Sequence, residues 1–372
     1  MSKLNKHFRV IPMLLLIAFA MSVAVACDLV KGELAQIVPP NAIELKNRFY
    51  QEHKNQDSIP SSTPHVKSHE TVFVPKNAQR VVVFGLGDLD SYLSLGLQER
   101  VVGRAIMSGT PKNLEDAYPI VSLQDFKAGK KGVVGVSGTG ITDAPHDPNY
   151  SIIVELEPDL IIIESRQRSG RGSSGHYQRL SAIAPTLDFG ISQQNAIKNT
   201  LDNLDDLSQI YPDKATLVQN FAQDILTSIQ EVHQIATESN PKTLMLLRDG
   251  ETYSIHGKGG RWSMVYNELG LSQSIKEISN QAHGTDLTPD LIAKNNSDIE
   301  LILLVDRAGG SMSNSILNHE YFKDTPAIKN NLVVDLDTSW YFMAGGANNI
   351  LTQIGEIKRA LALFSTERLH ND

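Results

Sequence analysis

The chain has 372 residues, enough for one two-lobed domain or two ordinary domains with full hydrophobic cores. Its hydrophobic fraction of 41% and charged fraction of 20% exclude a disordered or fibrous protein. The formal net charge of −8 argues against nucleic-acid binding, because neutralising phosphate groups requires an excess of Lys and Arg. A single cysteine excludes a disulfide framework, a CxxC redox pair and a zinc site built from several thiolates.

Residues 1–26 are typical of an export signal, because three basic residues precede a short apolar run at 11–20 and no acidic residue is present. The segment ends in Ala-Val-Ala before Cys27, which resembles the bacterial lipobox, in which the cysteine is lipidated. The alternative is an ordinary cleaved signal followed by a chance cysteine. Asp28 resembles an inner-membrane retention signal. We therefore expect a lipoprotein in the periplasm, anchored to the inner membrane.

Residues 27–70 are predicted to form a flexible tether. The stretch 36–69 is rich in Pro, Ser, Asn and Gln and shows no sustained helical or strand period. No apolar run after the signal approaches the ~20 residues that span a bilayer.

The remaining sequence alternates between strand and helix patterns. In a predicted N-terminal lobe, 71–211, continuous β-branched runs favour buried parallel strands at 80–84, 101–103 and 160–163, with helices at 88–97 and 152–156. In a predicted C-terminal lobe, 241–372, we expect strands at 242–247, 301–305 and 331–336 and helices at 261–269, 287–294 and 345–363.

A long helical pattern lies between the lobes. It begins at Pro212, ends before Pro241, and spans roughly 40 Å at 1.5 Å per residue. The predicted fold class is therefore α/β: two Rossmann-like lobes joined by a single long helix (212–240), with the ligand cleft between the lobes near the carboxyl ends of the strands. The run Gly85-Leu86-Gly87 suggests a dinucleotide site, but Asp90 stands where a third glycine is required.

Three arginines follow strands or open glycine-containing loops. Arg166 follows the strand at 160–163, Arg307 follows the strand at 301–305, and Arg261 follows the loop 257–260 and opens a predicted helix. Converging guanidinium groups suit a compact polyanion, since arginine stays charged and forms paired hydrogen bonds. Exposed N–H groups of the glycine-rich loop would favour the same anion. The alternative is three separate surface or ion-paired arginines.

Six segments in order resemble the class III periplasmic binding proteins of ABC importers, in the iron-siderophore branch, and most of all the catecholate-siderophore binders of the enterobactin and petrobactin type. They cover most of the chain after Val72 and comprise RVVVFGLGDLDSYLSLGL (80–97), VELEPDLIIIESRQ (154–167), LSAIAPTL (180–187), HGKGGRWSMVYNELGL (256–271), AHGTDLTPDLIAKNNSDIELILLVDRAGG (282–310) and SWYFMAGG (339–346).

The resemblance implies a monomeric binding protein and not an enzyme. Its ligand would be a ferric siderophore, with no intrinsic cofactor, and its partners an inner-membrane permease and the ATPase of the importer. The ligand-binding arginines of the family resemble Arg166, Arg261 and Arg307.

His283 and Tyr341 are the candidate metal ligands. Both precede glycines in loops, and imidazole and phenolate oxygen are accepted ligands of Fe(III). A structural histidine and a core tyrosine are the alternatives. In catecholate binders that take tetradentate siderophores, a His and a Tyr in these contexts complete the iron shell.

The resemblance also implies an acidic permease-docking residue on each lobe. Asp290 stands in that context in the C-terminal lobe. In the N-terminal lobe Ser151 replaces the usual Glu, and Glu155, one helical turn away, is the substitute. The basic loop 166–176 is longer than usual for the family and is either a lip over the cleft or a plain surface loop.

An enzyme is the rival class of function. A metal-dependent hydrolase would need clustered ligands, and the eleven histidines show no HxH or HExxH spacing. A serine hydrolase would need a GxSxG motif, which the sequence lacks. Another iron chelate, haem or cobalamin remains an alternative ligand.

Overall fold

The computed structural model describes residues 41–50, 66–137, 147–164, 176–190, 195–276, 278, 284–307, 316 and 319–371. Several predicted features lie outside these residues: the export signal with Cys27, the candidates Arg166 and His283, and most of the basic loop. The described residues form two lobes, each built on its own sheet, and the α/β fold class is confirmed. In the described ranges no helix is both long and apolar enough to cross a membrane.

A β-hairpin precedes the first lobe and corrects the prediction of a flexible tether over 27–70. Strand β1 (Ala42–Tyr50) pairs antiparallel with β2 (Val66–Pro75), so residues 42–50 and 66–70 belong to the folded protein. Leu45 and Asn47 of β1 are buried, whereas Lys46 between them is exposed. The tether prediction was wrong here because the buried residue Asn47 is polar, which conceals the period of a half-buried strand.

The first lobe contains a six-stranded sheet in which every strand pair is parallel, in the spatial order β5-β6-β4-β3-β7-β8. Its central strands are continuous aliphatic runs, as expected for strands covered on both faces. The carboxyl ends of these strands meet at one edge of the sheet. The strands are β3 (Val81–Val83), β4 (Val101–Arg104), β5 (Ile120–Val121), β6 (Val133–Gly135), β7 (Leu160–Ile163) and β8 (Thr186–Asp188); the helices are α1 (Leu86–Ser94), α2 (Lys112–Ala117), α3 (Leu123–Lys127), α4 (Tyr150–Glu155) and α5 (His176–Ser181).

Two helices connect the lobes. Helix α6 (Ala196–Ile210) is followed by a 3₁₀ turn at Pro212–Lys214 and by the predicted long helix, α7 (Ala215–Glu238). Its 24 residues span about 36 Å. The buried residues Val218, Ile225 and Val232 recur at a spacing of seven and face the core.

The second lobe contains a mixed sheet in the order β12-β10-β9-β13-β14, with β11 also paired to β9. Strands β9, β13 and β14 are parallel, whereas β10 runs antiparallel to both β9 and β12. The strands are β9 (Lys242–Asp249), β10 (Thr252–His256), β11 (Ser272–Gln273), β12 (Thr285–Asp286), β13 (Leu301–Asp306) and β14 (Val333–Leu336); the helices are α8 (Met264–Asn267), α9 (Pro289–Asn295), α10 (Pro326–Lys329), α11 (Ser339–Phe342) and α12 (Ala347–Asn371).

One hydrophobic core is shared by the two lobes. It contains Val81 of the first sheet, Leu303 of the second sheet, Val232 of α7 and Ile354 of α12. The opposite face of each sheet has a separate cluster. Helix α12 packs along α7 and also against α1, so α7 is not the only helix that ties the lobes together.

Two carboxylates bind helix N-termini across the two halves of the chain. Asp90 of α1 accepts hydrogen bonds from the backbone N–H groups of Asn348 (2.9 Å) and Asn349 (3.0 Å) in α12. Glu268, which follows α8, accepts them from Lys198 (2.9 Å) and from the preceding residue (3.1 Å) in α6. Burial raises the pKa of both carboxyl groups, although these N–H groups oppose the shift. Asp90, which argued against a dinucleotide site, therefore joins the two lobes.

Candidate ligand-binding site

A cavity of about 220 Å³ lies on one face of the second sheet. Ser254 of β10 stands opposite Leu247 of β9 on one side and Asp286 of β12 on the other, and directly opposed residues project to the same face. Eight of its nine lining residues carry a polar group, and it lies beside the carboxyl end of β9, where the sequence predicts the ligand. Its walls are Leu247, Asp249, Thr252, Tyr253, Ser254, His256, Arg261, Asp286 and Tyr341.

The structure brings together three of the five predicted ligand-binding side chains. The guanidinium of Arg261 lies 4.8 Å from the centre of the Tyr341 ring, and that of Arg307 lies 5.2 Å from it. Both distances are within the range of cation–π contacts. The phenol ring and Arg261 therefore share one wall of the cavity, and Arg307 lies beside this wall.

Hydrogen bonds to the backbone fix this wall. Arg261 Nη1 donates to the carbonyl oxygen of Tyr341 (3.1 Å), and Trp262 Nε1 donates to that of Trp340 (2.7 Å). The Trp340 indole is buried and donates to Glu356 (2.6 Å). Trp340 thus lies in the core, whereas Tyr341 stays half-buried beside the cavity.

Asp249 is a site residue that the sequence did not reveal. Its Oδ2 lies 2.7 Å from Arg307 Nη1, and the two side chains are each about half exposed. This hydrogen bond and the negative charge of the Asp249 carboxylate raise the pKa of Arg307. Asp249 precedes Gly250, so in the sequence it looked like part of an ordinary turn.

His256 is a second such residue. Its imidazole is 1% exposed and lies 4.4 Å, ring centre to ring centre, from Trp262. Gly284 has φ +79°, and a Cβ on it would stand 2.9 Å from His256 Nε2. Gly284, the residue after His283, therefore lies directly beside this wall of the cavity.

The loop before Arg261 is less open to anions than the sequence suggested. Of the predicted helix 261–269, only Met264–Asn267 is helical, and Gly270 ends the segment at φ +78°. The N–H groups of Lys258, Gly260 and Ser263 already donate to other protein groups. Arg261 therefore presents its side chain, and much of the loop backbone is already hydrogen-bonded within the protein.

The carboxyl ends of the first sheet are acidic. Asp88 is buried, and its pKa is raised well above the ordinary value by burial and by the nearby charges of Glu164 and Asp188. Arg166, two residues after Glu164, belongs to a segment outside the described residues, so its place relative to this edge stays a prediction.

His176 makes one hydrogen bond and one longer polar contact at this edge. The Tyr150 hydroxyl is 2.6 Å from His176 Nδ1, and His176 Nε2 is 3.4 Å from Asp147. Arg179 lies over the Tyr150 ring at 3.7 Å. His176 ends the predicted basic loop, and these contacts attach that end to helix α4.

The predicted docking residues lie on the surface. Asp290 is exposed in the first turn of α9, after the N-cap residue Thr288. Ser151 is exposed, and Glu155 forms an ion pair with Lys127 at 2.6 Å. Asp290 makes no ion pair with any residue that the structure describes.

Across the described ranges, no three His, Cys, Asp or Glu side chains are grouped closely enough to hold a metal ion. The predicted pair of metal ligands is represented by Tyr341 alone, since His283 lies outside these ranges.

Comparison with known proteins identifies similar sequences and folds. The family profile described as Periplasmic binding protein (Peripla_BP_2) matches residues 81–339. Petrobactin-binding protein YclQ of Bacillus subtilis is 29% identical over 291 residues, which cover 77% of this chain and 84% of that protein. Ferric-anguibactin-binding protein FatB of Vibrio anguillarum is 26% identical over 220 residues, which cover 56% of this chain and 66% of FatB.

Solved structures share the fold. The crystal structure of YclQ has a TM-score of 0.64 at 28% identity and is covered over 94% of its length by 78% of this chain. The crystal structure of the catecholate-siderophore binding protein VctP from Vibrio cholerae has a TM-score of 0.63 at 22% identity. The match covers 78% of this chain and 96% of VctP. Both lobes of the present chain thus have counterparts in these proteins.

Proposed function

The chain belongs to the periplasmic binding protein family, and we propose that it captures a ferric siderophore of catecholate type for an ABC importer. Members of this family are substrate-binding proteins that work outside the cytoplasm. The siderophore-binding names of the similar proteins YclQ and FatB support the ligand class.

The observation that carries the proposal is the placement of Arg261 and Tyr341 in the wall of one cavity, with Arg307 beside the Tyr341 ring. A ferric catecholate complex is a compact anion, and guanidinium groups bind such anions through charge-assisted hydrogen bonds. A phenolate oxygen is a hard donor that suits Fe(III) where the siderophore leaves positions open. Arg166 and His283 are proposed as the third arginine and the second iron ligand.

Titration of intrinsic fluorescence with a ferric bis-catecholate tests this function. We expect quenching, because the Trp262 ring lies 4.4 Å, ring centre to ring centre, from His256, which lines the cavity. Arg307→Ala should weaken binding about tenfold, since Arg307 is half exposed. Arg261→Ala should weaken it more, because that side chain also holds the Tyr341 backbone.

Arg359→Ala, which removes an exposed arginine from α12, is the matched control and should bind like the wild type. If the wild type shows no quenching, or if all three variants bind alike, the proposed anion pocket does not exist. Parallel titrations with a ferric hydroxamate, haem and cobalamin compare the alternative ligands.

The membrane partners form the second part of the proposal. Cys27 would carry the lipid that holds the protein at the inner membrane, and Asp290 would contact the permease, which works with its ATPase. Asp290→Arg should abolish siderophore uptake by cells while ligand affinity stays at the wild-type value; normal uptake would contradict the docking role. Membrane fractionation of a Cys27→Ser variant tests the anchor.

A further inference from the structure

Charges of opposite sign stand on either side of strands β9 and β10: Asp286 lines the cavity, and Arg307 lies outside its lining, beside Tyr341. Strands β12, β10, β9 and β13 lie side by side, and Asp286 belongs to the first of them. Arg307 directly follows β13, where its backbone N–H bonds to β9. Three strand spacings of about 4.8 Å separate the backbones of Asp286 and Arg307 by about 14 Å across the sheet. Val305 is level with Asp286, so Arg307 also stands two residues further along the strand direction.

The two aspartates of the cavity differ in their partners. Asp249 pairs with Arg307 at 2.7 Å, so its charge is balanced. Asp286 is exposed to the cavity and forms no ion pair with any residue that the structure describes. Between them, Thr252 and Ser254 supply only neutral hydroxyl groups.

A carboxylate without a positive partner, placed in a site for anions, changes which ligands bind most tightly. It repels the far end of a purely anionic ligand and attracts a cationic group there, and discrimination between ligands uses both effects. With the anionic iron core held beside Arg307 and Tyr341, the part of the ligand that extends across β10 reaches Asp286.

We propose that Asp286 is a specificity residue that selects ferric chelates whose arm extends from the anionic core across β10 and carries a protonated amine there. This inference rests on the proposed function and narrows its substrate class to chelates with charges of both signs.

The test uses two ferric bis-catecholates that are identical except at the end of one arm, which carries a primary amine in one and its acetylated form in the other. At pH 7.4 the amine is protonated. The wild type should bind the amine form about three- to fivefold more tightly, since a solvent-accessible ion pair contributes modestly. This preference should shrink at 0.5 M salt, because added salt screens exposed charges.

Asp286→Asn should remove the preference by weakening the amine form and strengthening, or sparing, the acetylated form. Glu251→Gln is the matched control, because Glu251 is a fully exposed carboxylate near the cavity that does not line it. That variant should keep the preference.

Equal binding of the two chelates by the wild type, or a preference that survives Asp286→Asn, overturns the role of Asp286 while the proposed function stands. If the wild type binds neither chelate, the proposed function fails and this inference fails with it. Circular dichroism of each variant confirms that the sheet is intact.

Discussion

Two consecutive side chains hold two consecutive carbonyl groups at the candidate site: Arg261 binds Tyr341 and Trp262 binds Trp340. The arginine that faces the anion therefore also sets the position of the phenol. A lysine at 261 would keep the charge but lose the planar guanidinium, which can bind the carbonyl while it faces the ring.

Asp88 is a buried carboxylate among other carboxylates, and we expect its neutral isostere to stabilise the protein. Its raised pKa means that it favours the folded state at low pH and loses that contribution as the pH rises through the folded-state value. Asp88→Asn should therefore increase the free energy of unfolding by ~1 kcal/mol or more at pH 7.5 and by less at pH 4.5.

Urea denaturation at the two pH values measures this difference. Asp116→Asn, which removes an exposed carboxylate paired with Lys112, should change stability little. A loss of stability in Asp88→Asn at both pH values would mean that a positive group holds the charged form of Asp88.

The residues of the site were predictable where they follow a predicted strand or adjoin a glycine loop and also match the family pattern. Arg307 follows a buried strand, and Arg261 and Tyr341 adjoin glycine loops, but their roles came from the family resemblance. Asp249 and Asp286 were missed because they lie at the ends of strands, one inside a turn and one in a strand of two residues. Their roles depend on strand register, which a single sequence does not give.

Among the elements, the buried parallel strands were the easiest to predict. Leu160–Ile163 and residues 301–305 are continuous apolar runs, because helices cover both of their faces. Strand β10 was not predicted, since its inward side chains Thr252, Ser254 and His256 line a polar cavity. Strand β1 was hidden by a buried amide.

That amide belongs to Asn47, which joins the hairpin to the edge of the first sheet. Its Nδ2 donates to the carbonyl of Thr186 (3.0 Å) and its Oδ1 accepts from the N–H of Asp188 (2.8 Å). Strand β8 is an edge strand, so the side chain satisfies two groups that a neighbouring strand would otherwise pair.

Asn47→Leu should lower the free energy of unfolding by about 2 kcal/mol, since it leaves two buried backbone groups without this partner. The amide of Asp188 should also exchange with deuterium much faster. Lys46→Leu, on the exposed side of the same strand, is the control for the added apolar group. Unchanged exchange at Asp188 in Asn47→Leu would show that the hairpin does not protect this edge.

At the scale of the whole molecule, the two lobes share a core and two helix caps. The shared hydrophobic cluster includes inward faces of both sheets, and Asp90 and Glu268 each bind the N-terminus of a helix from the other half of the chain. A structure joined in this way should unfold as one unit, although each lobe has a sheet of its own.

The two tryptophans make this testable, because Trp262 and Trp340 both lie in the second lobe. Tryptophan fluorescence therefore follows that lobe, whereas far-ultraviolet circular dichroism follows both. In wild-type protein the two signals should change at the same urea concentration. Separate transitions would mean that the lobes unfold independently.

Removing the helix caps made by Asp90 and Glu268 should weaken the connection between the two lobes. Asp90→Ala leaves two N–H groups of α12 without their acceptor and should cost about 1–2 kcal/mol; Glu268→Ala should cost a similar amount. Asp90→Asn should cost less, because it keeps an acceptor oxygen and avoids the burial of charge that raises the pKa of Asp90.

The double alanine variant should separate the fluorescence and dichroism transitions. Ser122→Ala, which removes a cap inside the first lobe, should lower stability without separating the two transitions. If the transitions separate in that variant too, the caps between the lobes are not what joins them.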